Sequence, residues 1–381
     1  MTQKGSLIIS AVDTAVKRVR TRALDVSFNE LFDMHLTGEL KIDPEYQRLF
    51  RWSLDKQSQF IESLVLELPI PPIYVIEIGV GIYELIDGLQ RISSYLHFRG
   101  ILPETDSGDG DADTLDSATA LVLQGCDVLP ELNGFTYEEL PMALQIKLKR
   151  HFIRMEVLRK ETDRKLRYHM FKRLNTGGEL LSPQEIRNCT IRLLDNRFND
   201  FLKEMTQDTA FRNSMQRLSS SKVEQMYLEE LVLRFFALKN NRDEYTKDIG
   251  DFLTDYMEKV ADLSSGNSFD YDCEELTFKN TFKLLNDALG EGAFSGFNEK
   301  GNPQGYFSTL HFETFSLGIQ PHLNELIGLD EDGKDKLKKV LIEIKTDDEF
   351  QDLTKGGGKN YSAHLERRIN FVSGRVGECL L

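Results

Sequence analysis

Apolar residues in the first hundred positions follow two different periods. Phe60, Ile61, Leu64, Val65 and Leu68 recur at the spacing that lines one face of a helix, and Ser53 stands where an N-cap belongs. The pattern therefore predicts a helix over 54–66, closed by the run Leu68-Pro69-Ile70-Pro71-Pro72. β-Branched and aromatic residues then fill 73–78 and 82–86 on either side of Gly79-Val80-Gly81, which predicts a hairpin with a three-residue connection. From 89 to 98 the apolar positions Ile92, Tyr95, Leu96 and Phe98 return to helical spacing, so Asp87-Gly88 falls at a strand-to-helix turn. Upstream, 27–36 reads as a short amphipathic helix, and 41–46 as extended chain because Pro44 keeps its predecessor out of helical angles.

Farther along, residues 103–118 are acidic and rich in Gly and Ser, the composition of a surface loop. Asp109, Asp111 and Asp113 alternate as calcium ligands do. However, Thr114 stands where the sharp turn needs Gly, and Ala120 where a bidentate Glu belongs. A strand over 152–158 and a helix over 161–174 follow, the helix ending at Asn175-Thr176-Gly177-Gly178, where a glycine supplies the left-handed residue. Ser182, Pro183 and Glu185 then spell a capping box with Pro at the first helical position. Beyond Asn188 the periodicity is helical over 191–205, 223–238, 245–263, 276–289, 307–317 and 334–345, with no internal repeat. These elements predict an α+β chain: an extension over 1–24, a strand-containing domain over 25–205 and a mainly α-helical C-terminal domain over 206–381.

Length and composition narrow the class. The 381 residues suffice for two domains, and 40% hydrophobic content supports a packed core. No run approaches the ~20 apolar residues of a membrane span and no signal-peptide pattern opens the chain, so a cytoplasmic protein is expected. Cys126, Cys189, Cys273 and Cys379 occur singly, which predicts free thiols. A net charge of -15 argues against a surface that coats nucleic acid. One segment runs the other way: between Lys147 and Arg173 there are eleven Lys and Arg against three acids, leaving -23 on the remainder. Lys147, Lys149, Arg150 and Lys165 are its candidate DNA-phosphate contacts, with a solvated helix face as the plainer reading.

The turn Asp87-Gly88-Leu89-Gln90-Arg91 has the parts of a phosphate site: open N–H groups at a helix N-terminus, a glycine for close approach and an arginine for anionic oxygens. Pro44-Glu45-Tyr46-Gln47-Arg48-Leu49-Phe50-Arg51-Trp52 sets two arginines and large aromatics before another helix start, suited to gripping phosphate or a base. Its plainer reading is that Tyr46 and Trp52 anchor that helix to the core.

Taken in order, these blocks resemble a known family. Pro44-x-Tyr46-Gln47-Arg48-x-x-x-Trp52, Ile61-Glu62-Ser63-Leu64, Pro69-Ile70-Pro71-Pro72-Ile73, Asp87-Gly88-x-Gln90-Arg91, Asn133-Gly134, Arg173-Leu174-Asn175-Thr176-Gly177-Gly178 and Leu181-Ser182-Pro183-Gln184-Glu185-Ile186-Arg187-Asn188 look like the N-terminal domain of the GmrSD-type modification-dependent restriction enzymes. The likeness covers roughly 25–240 and includes Glu230-Leu231-Val232-Leu233-Arg234-Phe235. It implies a ParB/sulfiredoxin-like domain with a small mixed sheet that takes a nucleoside triphosphate with magnesium. Carried over by the resemblance, Tyr46, Gln47, Arg48, Gly88, Arg173, Asn175, Thr176, Gly177 and Gly178 bind the nucleotide, while Asp87, Gln90 and Arg91 are the catalytic candidates. Asp87 is also assigned the magnesium or the attacking water, and the 175–178 backbone a second anion cradle. The chain departs from the family at Leu89, where a second glutamine is usual, so the resemblance supports binding further than hydrolysis.

The implied role is a nucleotide-dependent component of a bacterial or phage-related DNA restriction or defence system, acting on its helical half or on a separate nuclease or ATPase partner, with no membrane role. The alternatives are a DNA-binding module, or a ParB-like nuclease without nucleotide turnover. The His-Asn-His nuclease that accompanies this domain in the restriction enzymes is not found: His311 and His364 lack partners at metal-binding spacing and read as surface or core histidines. Glu343-Ile344-Lys345 mimics a Glu-x-Lys nuclease element, but its helical spacing puts Glu343 on a solvated face.

Overall fold

The structure, a computed structural model, describes residues 20–42, 50–101, 120–159, 182–192, 194–246, 248–262, 268–298, 300–354 and 361–380, with 8, 9, 12, 162 and 170 as isolated positions; side chains are described at all of these but Cys189. Its fold is α+β, with a mixed sheet in the N-terminal part and helices thereafter. The chain divides into two compact units, Met1–Glu179 and Leu180–Leu381.

In the first unit, β1 (Thr21–Ser27) leads into α1 (Phe28–Leu36), capped by the Ser27 hydroxyl accepting from the Glu30 N–H at 3.1 Å. β2 (Leu40–Lys41), α2 (Leu54–Val65), β3 (Ile73–Gly79), β4 (Ile82–Asp87), α3 (Leu89–Phe98), α4 (Met142–Arg150) and β5 (Phe152–Leu158) complete it. The strands form one five-stranded sheet in the order β1-β5-β3-β4-β2. β1 runs antiparallel to β5, β5 parallel to β3, β3 antiparallel to β4, and β4 parallel to β2. The β3–β4 connection is tighter than expected. Gly79 pairs with Ile82, leaving the two residues Val80 and Gly81, and Gly81 adopts the positive φ that such a turn needs.

Burial explains why these segments hold. Ile73, Val75 and Ile76 of β3 and Ile153, Met155 and Val157 of β5 are buried with Phe28, Phe60, Tyr95 and Phe98 from the helices. Phe28 centres the aromatic cluster, 4.8 Å from the Tyr95 ring and 6.2 Å from Phe60. Burial pushes Tyr95 up to about 12. Two blocks quoted in the family resemblance are scaffold here. Glu62, 2% exposed, accepts the Val128 and Leu129 N–H groups at 3.0 and 2.6 Å, and Asn133 pairs with both backbone polar groups of Cys126. Both contacts stitch the chain after residue 120 to the face of α2 or to itself.

The second unit contains α5 (Pro183–Ile191), α6 (Arg197–Met205), α7 (Thr209–Ser214), α8 (Ser220–Glu224), α9 (Tyr227–Asn241), α10 (Ile249–Ala261), α11 (Tyr271–Leu289), the two-stranded β6 (Gly296–Phe297) and β7 (Pro303–Gln304), α12 (Thr309–Gly318), α13 (Leu323–Ile327), α14 (Glu331–Thr346), α15 (Asp348–Thr354) and α16 (Ser362–Leu380). The capping box at Ser182 and Glu185 forms in both directions, at 3.2 and 2.7 Å. The expected helices over 191–205 and 223–238 are each broken, the second at Met226, which takes a φ of 57°. The compact units part at 179/180, ahead of the expected domain boundary at 205/206, because α5 packs on α9 and α10.

A buried ion ladder ties four helices of this unit together. Arg187 of α5 pairs with Glu230 of α9 at 2.6 Å, and Glu230 also takes Arg234 at 3.1 Å. Arg234 in turn pairs with Glu313 of α12 at 2.6 Å, and Glu313 meets Arg368 of α16 at 3.3 Å. Arg368 is fully buried and also donates to the Thr314 hydroxyl at 3.2 Å. Removing one member of such a set strips buried neighbours of part of their compensating charge in a low-dielectric setting. Glu313→Gln is accordingly expected to lower the unfolding free energy by about 3–5 kcal/mol in denaturant titration, whereas the same change at exposed Glu331 leaves it within about 0.5 kcal/mol. Equal effects at the two positions would contradict the ladder's role.

Candidate functional site

Strand β4 delivers Asp87 to the end of the sheet, and the next residue turns the chain into α3. Gly88 makes that turn with φ 104° and ψ 12°, a left-handed N-cap that offers no side chain to the helix. A Cβ at this position would meet Ile73 Cγ2 at 2.5 Å and Arg91 Nη2 at 3.2 Å, so only glycine fits. The first-turn N–H groups of α3 consequently receive no side-chain cap from Gly88, and they form the positive end of the helix dipole.

Arg91, one turn into α3, folds back over this corner. Its Nη2 donates to Asp87 Oδ2 at 3.0 Å and to the Pro72 carbonyl at 3.1 Å, while its buried Nε meets no acceptor among the described residues. The guanidinium is thus fixed at the strand ends through Nη2. Asp87 is held by the same contact, an ion pair in which both side chains are partly buried.

Gln90 connects the turn to a distant block. Its Oε1 accepts from the Arg51 N–H at 3.0 Å and the Trp52 N–H at 3.1 Å, clamping the entry to α2 against α3. Trp52 is fixed a second time, its carbonyl taking the Gln57 amide at 2.7 Å and its ring lying edge-on to Phe60 at 5.9 Å. Gln57 Oε1 lies 2.8 Å from His97 Nδ1, which carries the chain of contacts to the far end of α3. The anchoring reading of Trp52 therefore fits its surroundings. Leu89 is 3% exposed and belongs to the core, so the position where the family's second glutamine is usual faces packed side chains here.

Tyr46, Gln47 and Arg48, together with Arg173, Asn175, Thr176, Gly177, Gly178 and Lys165, lie outside the described residues. Of the remaining basic candidates, Lys147, Lys149 and Arg150 occupy the last turn of α4. The contacts of the two lysines differ. Lys147 approaches exposed Glu67 at 3.5 Å, and Lys149 lies 6.0 Å from the Tyr137 ring. Cations in a last turn also complement the helix dipole without any ligand. Among the described residues no group of three His, Cys, Asp or Glu side chains is placed to hold a metal ion. Nor is any described helix long and apolar enough to cross a membrane. Cys126, Cys273 and Cys379 are free thiols, as the singly placed cysteines predict, and burial pushes Cys126 up to about 11.

Residues 28–192 match the family model described as GmrSD restriction endonuclease, N-terminal domain. The matched segment opens at the first residue of α1 and closes just past α5, bringing the Asp87–Arg91 turn and the capping box into one family pattern. No curated protein and no solved structure matches the chain.

The glycine requirement can be checked without any ligand. Gly88→Ala is expected to cost about 2 kcal/mol or more, from the left-handed backbone and the contact with Ile73 together. Urea titration reads it, with Gly38→Ala, where a Cβ meets open space, costing only the backbone strain. Identical losses at the two glycines would show that Ile73 yields and that the corner is not sterically closed.

Proposed function

We propose, for a chain whose residues 28–192 match the GmrSD restriction endonuclease N-terminal domain, that it is a nucleoside-triphosphate-binding component of a bacterial or phage-related DNA restriction or defence system. The corner formed by Asp87, Gly88, Gln90 and Arg91 receives the triphosphate. The observation that carries this reading is the N-terminus of α3, to which Gly88 gives no side-chain cap, beside an arginine whose buried Nε has no acceptor among the described residues. Backbone N–H groups at a helix N-terminus, a glycine that lets an anion come close and a pre-positioned guanidinium are what a phosphate needs.

Each residue then has a defined task. The first-turn N–H groups and Arg91 take the anionic oxygens. Gln90 holds the Arg51–Trp52 backbone against the corner, and Tyr46, Gln47 and Arg48 precede Arg51 by three to five positions, which makes them the candidates for the rest of the nucleotide. Arg173 and the 175–178 backbone are assigned to a second anion cradle. Asp87 supplies a carboxylate at the corner. Magnesium bound to a triphosphate keeps most of its ligands as water and phosphate oxygens, so one carboxylate is a sufficient protein contribution. That same carboxylate is paired with Arg91, and Leu89 offers no polar group, so the reading is of binding first, with turnover as a separate question. DNA enters as the target of the system, with Lys147, Lys149, Arg150 and Lys165 as candidate phosphate contacts, a nuclease or ATPase as a separate partner protein and the cytoplasm as the compartment.

Equilibrium binding of fluorescent analogues of the four nucleoside triphosphates, in magnesium, tests the reading. The wild type is expected to bind at least one of them, and Arg91→Ala to weaken it by roughly 10- to 100-fold, the loss of one or two charged hydrogen bonds. Circular dichroism checks that the variant folds. Unchanged affinity in a folded Arg91→Ala, or no binding of any of the four, would overturn the proposal.

A further inference from the structure

Within the second unit, a cavity of about 390 Å³ opens among β6, β7, α12, α14 and α15. Its floor is Lys345, a residue of the helix α14 whose side chain is 2% exposed. The ammonium donates to the Ala293 and Ser295 carbonyls at 2.8 and 2.9 Å and lies 3.5 Å from His311 Nδ1. The Phe315 and Phe297 rings cover it at 4.2 and 5.4 Å. Among the described residues no carboxylate pairs with it, although the chain as a whole carries 62 acidic residues against 47 basic ones. A buried lysine with carbonyls and ring faces but no counter-charge is incompletely compensated. Burial accordingly pushes Lys345 well below its ordinary value and His311 down to about 3.

The rest of the lining has the same character. Beside Lys345 and His311 stand the carboxamides of Gln304 and Gln351, the Thr354 hydroxyl and the apolar face of Phe297, with no acid among them. We infer that this cavity, apart from the nucleotide corner of the first unit, binds a small phosphate monoester. Its anionic oxygens supply the charge that Lys345 lacks, and Phe297 receives its organic part. Thr354 and Gln351 donate to the Phe350 and Thr346 carbonyls, so the lining offers an anion the Lys345 ammonium and the Gln304 carboxamide, to which a phosphate monoester brings more negative charge than a carboxylate does. The volume exceeds what inorganic phosphate alone fills and falls in the range of small-ligand pockets. The titratable group facing Nζ is His311 of α12, which burial keeps neutral, with Arg368 of α16 acting on His311 in turn.

The test uses the full chain and phenyl phosphate as the probe, with phenol and benzoate as its uncharged and carboxylate counterparts, read by titration calorimetry and thermal shift. Phenyl phosphate is expected to bind with Kd of ~1 mM or tighter, and phenol and benzoate at least ~10-fold more weakly. Lys345→Met removes the charge while keeping a stem that suits the surrounding rings, and Thr354→Asp places a repelling acid at the lining without touching Lys345. Each is expected to weaken phenyl phosphate by ~10-fold or more, and Arg91→Ala to leave it unchanged. No binding to the wild type, equal binding of benzoate, loss on Arg91→Ala, or full binding by a folded Thr354→Asp would each overturn the assignment.

Discussion

Only a residue without a side chain can stand at position 88, and the architecture of the first unit follows from that. The left-handed backbone of Gly88 stops β4 and starts α3 within one residue, against Ile73 of the neighbouring strand. A larger residue there would separate β3 from the turn and swing Arg91 away from Asp87 and Pro72. The same absence of a side chain leaves α3 without a cap from its N-cap residue, so the steric requirement and the open helix end have one cause. Arg91 and Gln90 then project from the first turn to opposite tasks, one bracing the strand ends and the other gripping the Arg51–Trp52 backbone.

The second unit is organised on a different principle. Its core is aromatic, but its helices are registered by charge: Arg187, Glu230, Arg234, Glu313 and Arg368 alternate through the interior, three cations to two anions. Arg187 and the Glu230–Arg234 pair both fall in blocks that resemble the family, and here they act as structure. Lys345 is the exception to this pairing, a buried cation that the described carboxylates do not reach.

Much of the first unit could be read from the chain because its signals are local. Ser53 does cap α2, the two β-branched runs do pair, and the change of period after Asp87 does mark a strand-to-helix turn, since each depends on neighbours in sequence. β1 could not be read in this way. Its residues Thr21–Ser27 show little alternation and are largely exposed, and they form a strand because β5 pairs with them from Phe152 to Leu158. Helix α4 escaped for a similar reason, burying only Leu148 among three basic residues in its last turn. The C-terminal helix α16 hides a buried Arg368 and carries Gly374 and Gly377, which dilute its apolar stripe. Buried charges mislead periodicity generally: Glu343 lies on the exposed face its spacing predicts, while Lys345, two residues on, is turned inward where a polar residue is least expected. The Asp87–Arg91 corner was legible as a motif. That Asp87 and Arg91 pair with each other, and that Gln90 serves the backbone of another block, depends on geometry that spacing does not carry.

The most direct measurement of the central claim is amide hydrogen exchange across 87–92, with and without a nucleoside triphosphate and magnesium. The first-turn N–H groups of Leu89 and Arg91 should exchange more slowly when phosphate oxygens accept from them. Slowed exchange elsewhere in the chain with these two amides unchanged would contradict the account.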